Sequence, residues 1–410
     1  MKLWEIFRYD LATQLRRYTT PIYGLGLAVM ALLAMSTFVD DAKRDGVFLN
    51  APMATAASVI IATIVGMLVT AALTGEAGTR DVQARMEPLL YTTPLPKSTY
   101  LGGRFLSAFA AGALLLAFAP LALAAGRFVP GFDPSFFGPF DPASYLRAYV
   151  TVALPNAFIV TALLFSLVVL SRRAMAAFFA GAALFLNTLI QDEVVAGALG
   201  RWDLAKLFDP FAFIVARAQW RSWTVAQRNT LPLQLDDELL MNRLLWIGVS
   251  LAALALVHLR FRMAHYAPAT RWPWRRRRVD APLETTVALA TPHVRGTFDR
   301  ATRVRQAMAI ALHAYRELIA SRAAWFLPAI GLLLFKITPE LMEVGLGTPG
   351  RPTTGRIVML YGKFSTIGVF VGALIVFFAG QLVWRERDAR ENDVTDATPV
   401  PDAVTFAGKF

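Results

Sequence analysis

The chain has 410 residues, 56% of them hydrophobic and only 17% charged, with a mean hydropathy of +0.48 and a net charge of +12. That balance excludes a soluble domain of ordinary composition, in which about a quarter of residues are charged. Cysteine is absent, which removes disulfides, thiolate metal sites and cysteine nucleophiles. The apolar surplus is gathered in long runs, so the expected fold class is an all-α integral membrane protein with about eight transmembrane helices.

The first 20 residues carry charge throughout and have no short apolar core with a small-residue cleavage site, so they are not a signal peptide. Within 1–18, Leu3, Phe7, Leu11 and Leu15 share one helical stripe, with Trp4 and Tyr18 beside it and Arg8, Arg16 and Arg17 off it or at its end. This fits a helix lying in the membrane surface. Six apolar runs follow at 21–38, 54–74, 105–125, 148–170, 174–190 and 244–259. Residues 128–147 form a loop rich in Gly, Pro and Phe, and 191–242 form a longer one with amphipathic pieces around 207–220. A basic linker occupies 260–304, where Arg275–Arg278 stand beside Trp272 and Trp274. That pairing suits a belt facing anionic lipid better than nucleic acid. Residues 305–322 repeat the interfacial pattern with Met308, Leu312, Tyr315 and Ile319, and two more runs lie at 323–337 and 365–384. An ordinary helix packed on protein is the other reading of each interfacial segment.

With the N-terminus in the cytoplasm, the inner segments hold 27 of the 41 Lys and Arg residues, and acidic residues divide almost evenly. The net charge then sits on the inner face, as the positive-inside rule requires. An internal repeat is also present. At a shift of 305, nine of 31 positions from Gly75 to Phe105 are identical, clustered around Thr93, Pro94, Pro96 and Gly103, which fall on Thr398, Pro399, Pro401 and Gly408. Residues 1–259 then read as one complete six-helix unit, and 305–410 as the interfacial helix, two spans and second motif of another. Such an arrangement implies a longer, internally duplicated protein, a pseudo-dimer within one chain.

The first copy carries Glu76, Arg80, Asp81, Arg85 and Glu87 at spacings that allow pairing along a helix, and prolines then impose a stiff exit. A short charged helix of this kind is a mechanical contact for a soluble partner. Together with "FFAGQLVWRERDARENDVTDATPVPDAVTFAGKF" and "DPFAFIVARAQWRSWTVAQRNTLPLQLDDELLMNRLLWIG", the arrangement resembles the duplicated ABC-2 type transporter permeases of bacteria, some of which continue into a C-terminal aminopeptidase domain of the M1 type. The resemblance implies a permease, an exporter of the cytoplasmic (inner) membrane, driven by separate cytoplasmic P-loop ATPase subunits. It places the ATPase contact on residues 76–87 and again on 381–393, including Arg385, Glu386 and Arg390. Gln381 stands where the first copy has Glu76, which sets the copies apart.

The chain itself has no G-x4-G-K-[ST] loop, no H-E-x-x-H and no G-x-S-x-G, so ATP would enter only through a partner, and no cofactor, metal or catalytic set is expected. Ionisable residues are nearly absent from the apolar runs, against an ion-coupled carrier. Asn156, Asn187, Ser166 and Thr188 are the polar exceptions, and Pro120 and Pro155 the expected kinks. The rival function is a membrane anchor for a soluble enzyme, under which the charged segments would tolerate substitution.

Overall fold

The structure is a computed structural model and describes residues 2–84, 86, 89–90, 92–93, 95–262, 299–320, 325, 343–344, 348–349, 375, 378–380, 382 and 400–409. Its helices are α1 (Lys2–Leu15), α2 (Thr19–Ser36), α3 (Val39–Asp45), α4 (Pro52–Gln83), α5 (Lys97–Leu116), α6 (Phe118–Ala124), α7 (Pro142–Ala148), α8 (Leu154–Ser171), α9 (Met175–Leu189), α10 (Trp202–Phe208), α11 (Phe213–Arg221), α12 (Val225–Thr230), α13 (Asp237–Arg260), α14 (Arg300–Ala320) and α15 (Asp402–Lys409). A two-residue antiparallel pair, Glu343–Val344 with Thr348–Pro349, is the sheet content among the described residues.

Six helical stretches are long and apolar enough to cross a membrane: Thr19–Asp45, Pro52–Gln83, Lys97–Ala124, Pro142–Ser171, Met175–Gly197 and Asp237–Arg260. They coincide with the first six runs read from the sequence. The two further runs expected at 323–337 and 365–384 lie outside the described residues but for isolated positions, as does most of the linker, 263–298. The count among described residues is therefore six rather than eight.

Burial divides the six into a centre and a rim. In α4, 67% of the apolar window is buried, and in Pro142–Ser171 72%; the figures for the spans of α2, α9 and α13 are 28%, 28% and 22%. The rim helices turn Ile22, Leu25, Val29, Leu244, Leu251 and Leu259 outward, as helices bathed in lipid do. The main core gathers Met35, Leu49, Ile60, Leu164 and Phe211.

Proline places the irregularities. Pro120 has no N–H for the Leu116 carbonyl four residues earlier, and the helix breaks between Leu116 and Phe118. Pro155 deprives Thr151 in the same way, and a π-helical turn, Tyr149–Ala153, stands just before it. Helix starts are closed by side chains: Asp141 accepts from the Ala143 amide, Thr224 and Gln227 form a reciprocal capping box, and Asp236 accepts from the Leu239 amide. At the far end of α13, Arg260 complements the helix dipole.

Two helices exceed their expected bounds, with consequences for the chemistry. At 32 residues α4 is about 48 Å long, against a hydrocarbon slab of about 30 Å. The charged residues 76, 80 and 81 thus ride on the last two turns of a spanning helix rather than on a separate one. The start of α13 at Asp237 brings Arg243 into a spanning helix, where the sequence reading had found almost no charge.

Candidate functional site

At the end of the bundle where α4 finishes and α5 begins, α1 is fastened across both. Its packed face includes polar residues. Asp10 and Gln14 face the protein at 4% exposure each, while Trp4, Tyr9 and Leu15, with Tyr18 just beyond, point away from it. Ile6 and Leu11 pack inward beside them, and Lys2, Glu5 and Arg8 are exposed, so the helix seats a mixed polar and apolar face on the bundle.

The seat is an ion-pair network spread over three elements. Arg80 Nη1 on α4 lies 3.3 Å from Asp10 Oδ1, and Arg104 Nη1 on α5 lies 3.6 Å from Asp10 Oδ2. Arg104 also pairs closely with Asp81 and donates to the Ala77 carbonyl at 3.2 Å, tying α5 to α4. The Tyr100 hydroxyl donates to Asp81 Oδ2 at 2.7 Å. Arg17, just past α1, meets Glu76 Oε1 at 2.5 Å. The Arg80 and Arg104 guanidiniums lie over the Tyr9 and Tyr100 rings, 5.6 and 5.3 Å from their centroids. Burial pushes the Asp10 carboxyl above the ordinary carboxylate range, against the pull of Arg104 and Arg80. A crevice of about 610 Å³ opens beside the network, lined by Lys2, Tyr9, Asp10, Arg80, Met86 and Tyr100 among others.

Gly103 makes the close approach possible. A Cβ there would sit 2.7 Å from Ile6 Cγ2 and 3.3 Å from the Leu3 carbonyl oxygen, so any side chain would push α1 off α5.

The sequence-predicted residues therefore separate into groups. Glu76, Arg80 and Asp81 come together, but their partners lie on other elements rather than along their own helix. Arg85, Glu87, Pro94, Arg385, Glu386, Arg390, Thr398 and Pro399 lie outside the described residues. Thr93 is exposed, its hydroxyl donating to the Leu90 carbonyl at 2.6 Å, and Pro96 immediately precedes α5. Pro401 stands just before α15, and its carbonyl accepts from the Val404 amide. Asp10, Arg17, Tyr100 and Arg104 were missed. The available signal was Asp10 itself, an acid on the packed face of an amphipathic helix.

A second constellation lies at the other end of the bundle; it joins Asn156 and Thr188, two of the polar exceptions within the apolar runs, to residues of the expected loop at 191–242. Helices α10 and α11 form a hairpin whose turn, residues 209–212, is driven into the bundle. Asp209 is fully buried and accepts from the Phe211 amide (3.2 Å), the Ile214 amide (3.0 Å) and the Thr188 hydroxyl (3.1 Å). Burial raises its carboxyl, opposed by these donors and by Arg243. Ala212 adopts a left-handed backbone at φ +55°. Arg243 donates to Asn156 Oδ1 at 2.8 Å and to the Phe211 carbonyl at 3.2 Å, and Asn156 Nδ2 reaches Thr63 Oγ1 at 3.0 Å. Asn242 donates to the carbonyls of Lys206 and Asp209, and Trp246 to that of Leu207. The stretches "DPFAF" and "NRLLW" thus recognise each other: one offers backbone oxygens and the other supplies donors.

Among the described residues no group of His, Cys, Asp and Glu is arranged to hold a metal. Set beside known proteins, the chain matches no family model and no curated sequence.

Proposed function

We propose that this protein is the membrane-spanning permease of an ATP-binding-cassette transporter of the ABC-2 type, an exporter driven by separate cytoplasmic ATPase subunits, with α1 on the cytoplasmic side of a bacterial inner membrane. The observation that carries this reading is the fastening of α1. A helix that spans nothing is joined by side-chain ion pairs to the ends of two long apolar helices, so a push on α1 reaches α4 and α5 directly. Its exposed Trp4, Tyr9 and Leu15 suit the bilayer surface, and the adjoining charged turns suit a soluble motor. The energy would come from the motor's unequal affinity for two bundle states.

The test is isolation of the protein from its native membranes in mild detergent, followed by mass spectrometry and transport measurement. A stoichiometric P-loop ATPase should accompany it, and Arg80→Ala should leave nucleotide hydrolysis running while transport falls. Isolation without any ATPase, or unchanged transport in Arg80→Ala, would sink the coupling role.

A further inference from the structure

The Phe-rich loop at 126–141, at the end of the bundle opposite α1, is closely pinned. Two 3-10 turns, Gly126–Phe128 and Pro134–Phe136, shape it, and Asp133 closes the second by accepting from the Ser135 amide and hydroxyl. Asn50, just before α4, acts as a clasp. Its Oδ1 accepts from the Gly138 amide at 2.7 Å, and its Nδ2 donates to the Gly138 and Pro139 carbonyls at 3.1 Å each. The Leu49 amide donates to the Phe136 carbonyl at 2.9 Å. A Cβ on Gly138 would sit 2.6 Å from Phe48 Cδ2, so any side chain there would force the two segments apart. The Phe48 amide in turn donates to Asn229 Oδ1 at 2.8 Å, and Asn229 Nδ2 donates to the Gly46 carbonyl at 2.9 Å.

This frame sorts the aromatic rings of the loop. Phe137 is buried and Phe132 meets it edge to face, whereas Phe128 and Phe140 are held outward at 84% and 62% exposure. A lone exposed ring on a soluble surface needs no explanation. These two extend surfaces that already meet lipid. Phe128 stands four residues past the spanning stretch Lys97–Ala124, and Phe140 two residues before Pro142–Ser171. On the adjoining turns Phe118 and Leu121, and Leu146 and Val150, also point outward. Arg127 and Arg147 are exposed beside them, with aliphatic stems that can lie on apolar surface and heads that can reach phosphate. The exposed acids of this segment, Asp133 and Asp141, are engaged in capping the second 3-10 turn and α7.

We infer that the 126–141 loop is a membrane-contact element, resting on the leaflet opposite α1 with Phe128 and Phe140 among the upper acyl chains and Asp133 and Ser135 in water. Its partner is lipid, because the two rings continue the outward sides of the two spanning stretches that the loop joins. Through the Asn50 clasp the loop also meets the start of α4, so one contact sets the depth of three spanning helices. The inference rests on the spanning architecture and not on the permease reading.

The chain has no cysteine, so single-cysteine variants carry one label each. Phe128→Cys, Phe140→Cys and Ser135→Cys, each labelled with a nitrobenzoxadiazole fluorophore in the full chain in phosphatidylcholine nanodiscs, are read with two quenchers. One is a phospholipid carrying a nitroxide near the top of its acyl chain, and the other is aqueous iodide. The ratio of nitroxide to iodide quenching should be at least about threefold higher at 128 and 140 than at 135. Similar ratios at all three positions, with iodide reaching each, put the loop in water and overturn the contact. Shielding of 128 and 140 from both quenchers puts protein over them, from a second copy or from elsewhere in the chain, and overturns it equally. Should a variant fail to fold, the unsubstituted chain decides. A phospholipid with a diazirine near the top of its acyl chain should leave adducts within 126–141 on illumination, and adducts found only elsewhere overturn the contact.

Discussion

The two ends of the bundle hold their polar residues in opposite ways. At one end, Asp209, Asn156, Asn242 and Arg243 are all buried and bind mainly backbone atoms of an inserted turn. At the other, Arg80 keeps 28% of its side chain exposed, Arg17 keeps 48%, and the contacts run between side chains across separate helices. Backbone atoms cannot change rotamer, so the first arrangement fixes a shape. Partly exposed side chains beside an open crevice can exchange partners, so the second permits two shapes. The molecule thus combines a rigid clamp with an adjustable fastening, and substitutions at the two ends should separate stability from coupling.

The largest effect should come from Arg243→Leu. It strips donors from the Phe211 and Pro210 carbonyls and leaves Asn156 Oδ1 and buried Asp209 without their cation, a loss of about 3–5 kcal/mol. Thermal unfolding in detergent should show a steep fall, with the hairpin becoming susceptible to protease. Asn156→Ala should cost less, about 1–3 kcal/mol, because Arg243 keeps its carbonyl acceptors. Arg80→Ala, by contrast, should shift stability by about 1 kcal/mol or less, since its partner Asp10 retains Arg104 and its own side chain is part-solvated. A destabilisation in Arg80→Ala as large as in Arg243→Leu would erase the contrast between the ends.

Much of the spanning architecture was legible because a bilayer demands long apolar helices, and the length of the apolar runs located the six described here. A helix at the N-terminus was legible too, since the Leu3–Leu15 spacing is regular, and Lys2–Leu15 is helical. What escaped has a common cause. Arg243 and Asp209 look like residues of a polar loop, and only the three-dimensional return of residues 209–212 into the bundle makes them interior. Hydropathy weighs local composition and cannot see a turn whose backbone is satisfied by donors some 30 residues away. The pairing of Glu76, Arg80 and Asp81 was assigned along their own helix for the same reason, because spacing reports neighbours in sequence and not Arg17, Asp10 and Arg104. The glycine in the repeated motif was visible as an identity, but its reason, an isoleucine that would lie within 3 Å of any Cβ placed there, needed coordinates.

The smallest effect, and the one most telling about the seat of α1, lies in pH. Burial raises the Asp10 carboxyl, and Arg104 and Arg80 only partly offset that. The docked helix therefore binds the carboxyl proton more tightly than an undocked one does. Its contribution is fully present below the ordinary carboxylate value and is lost as pH rises through the raised value. Wild type should accordingly gain stability relative to Asp10→Asn as pH falls through the carboxylate range, and the comparison between the two chains cancels the other acids. Thermal midpoints or exchange over 2–15 would both register it. Wild type losing ground in acid would mean instead that the two arginines outweigh burial. The ion pairs around Asp10 would then be net stabilisers of the docked α1.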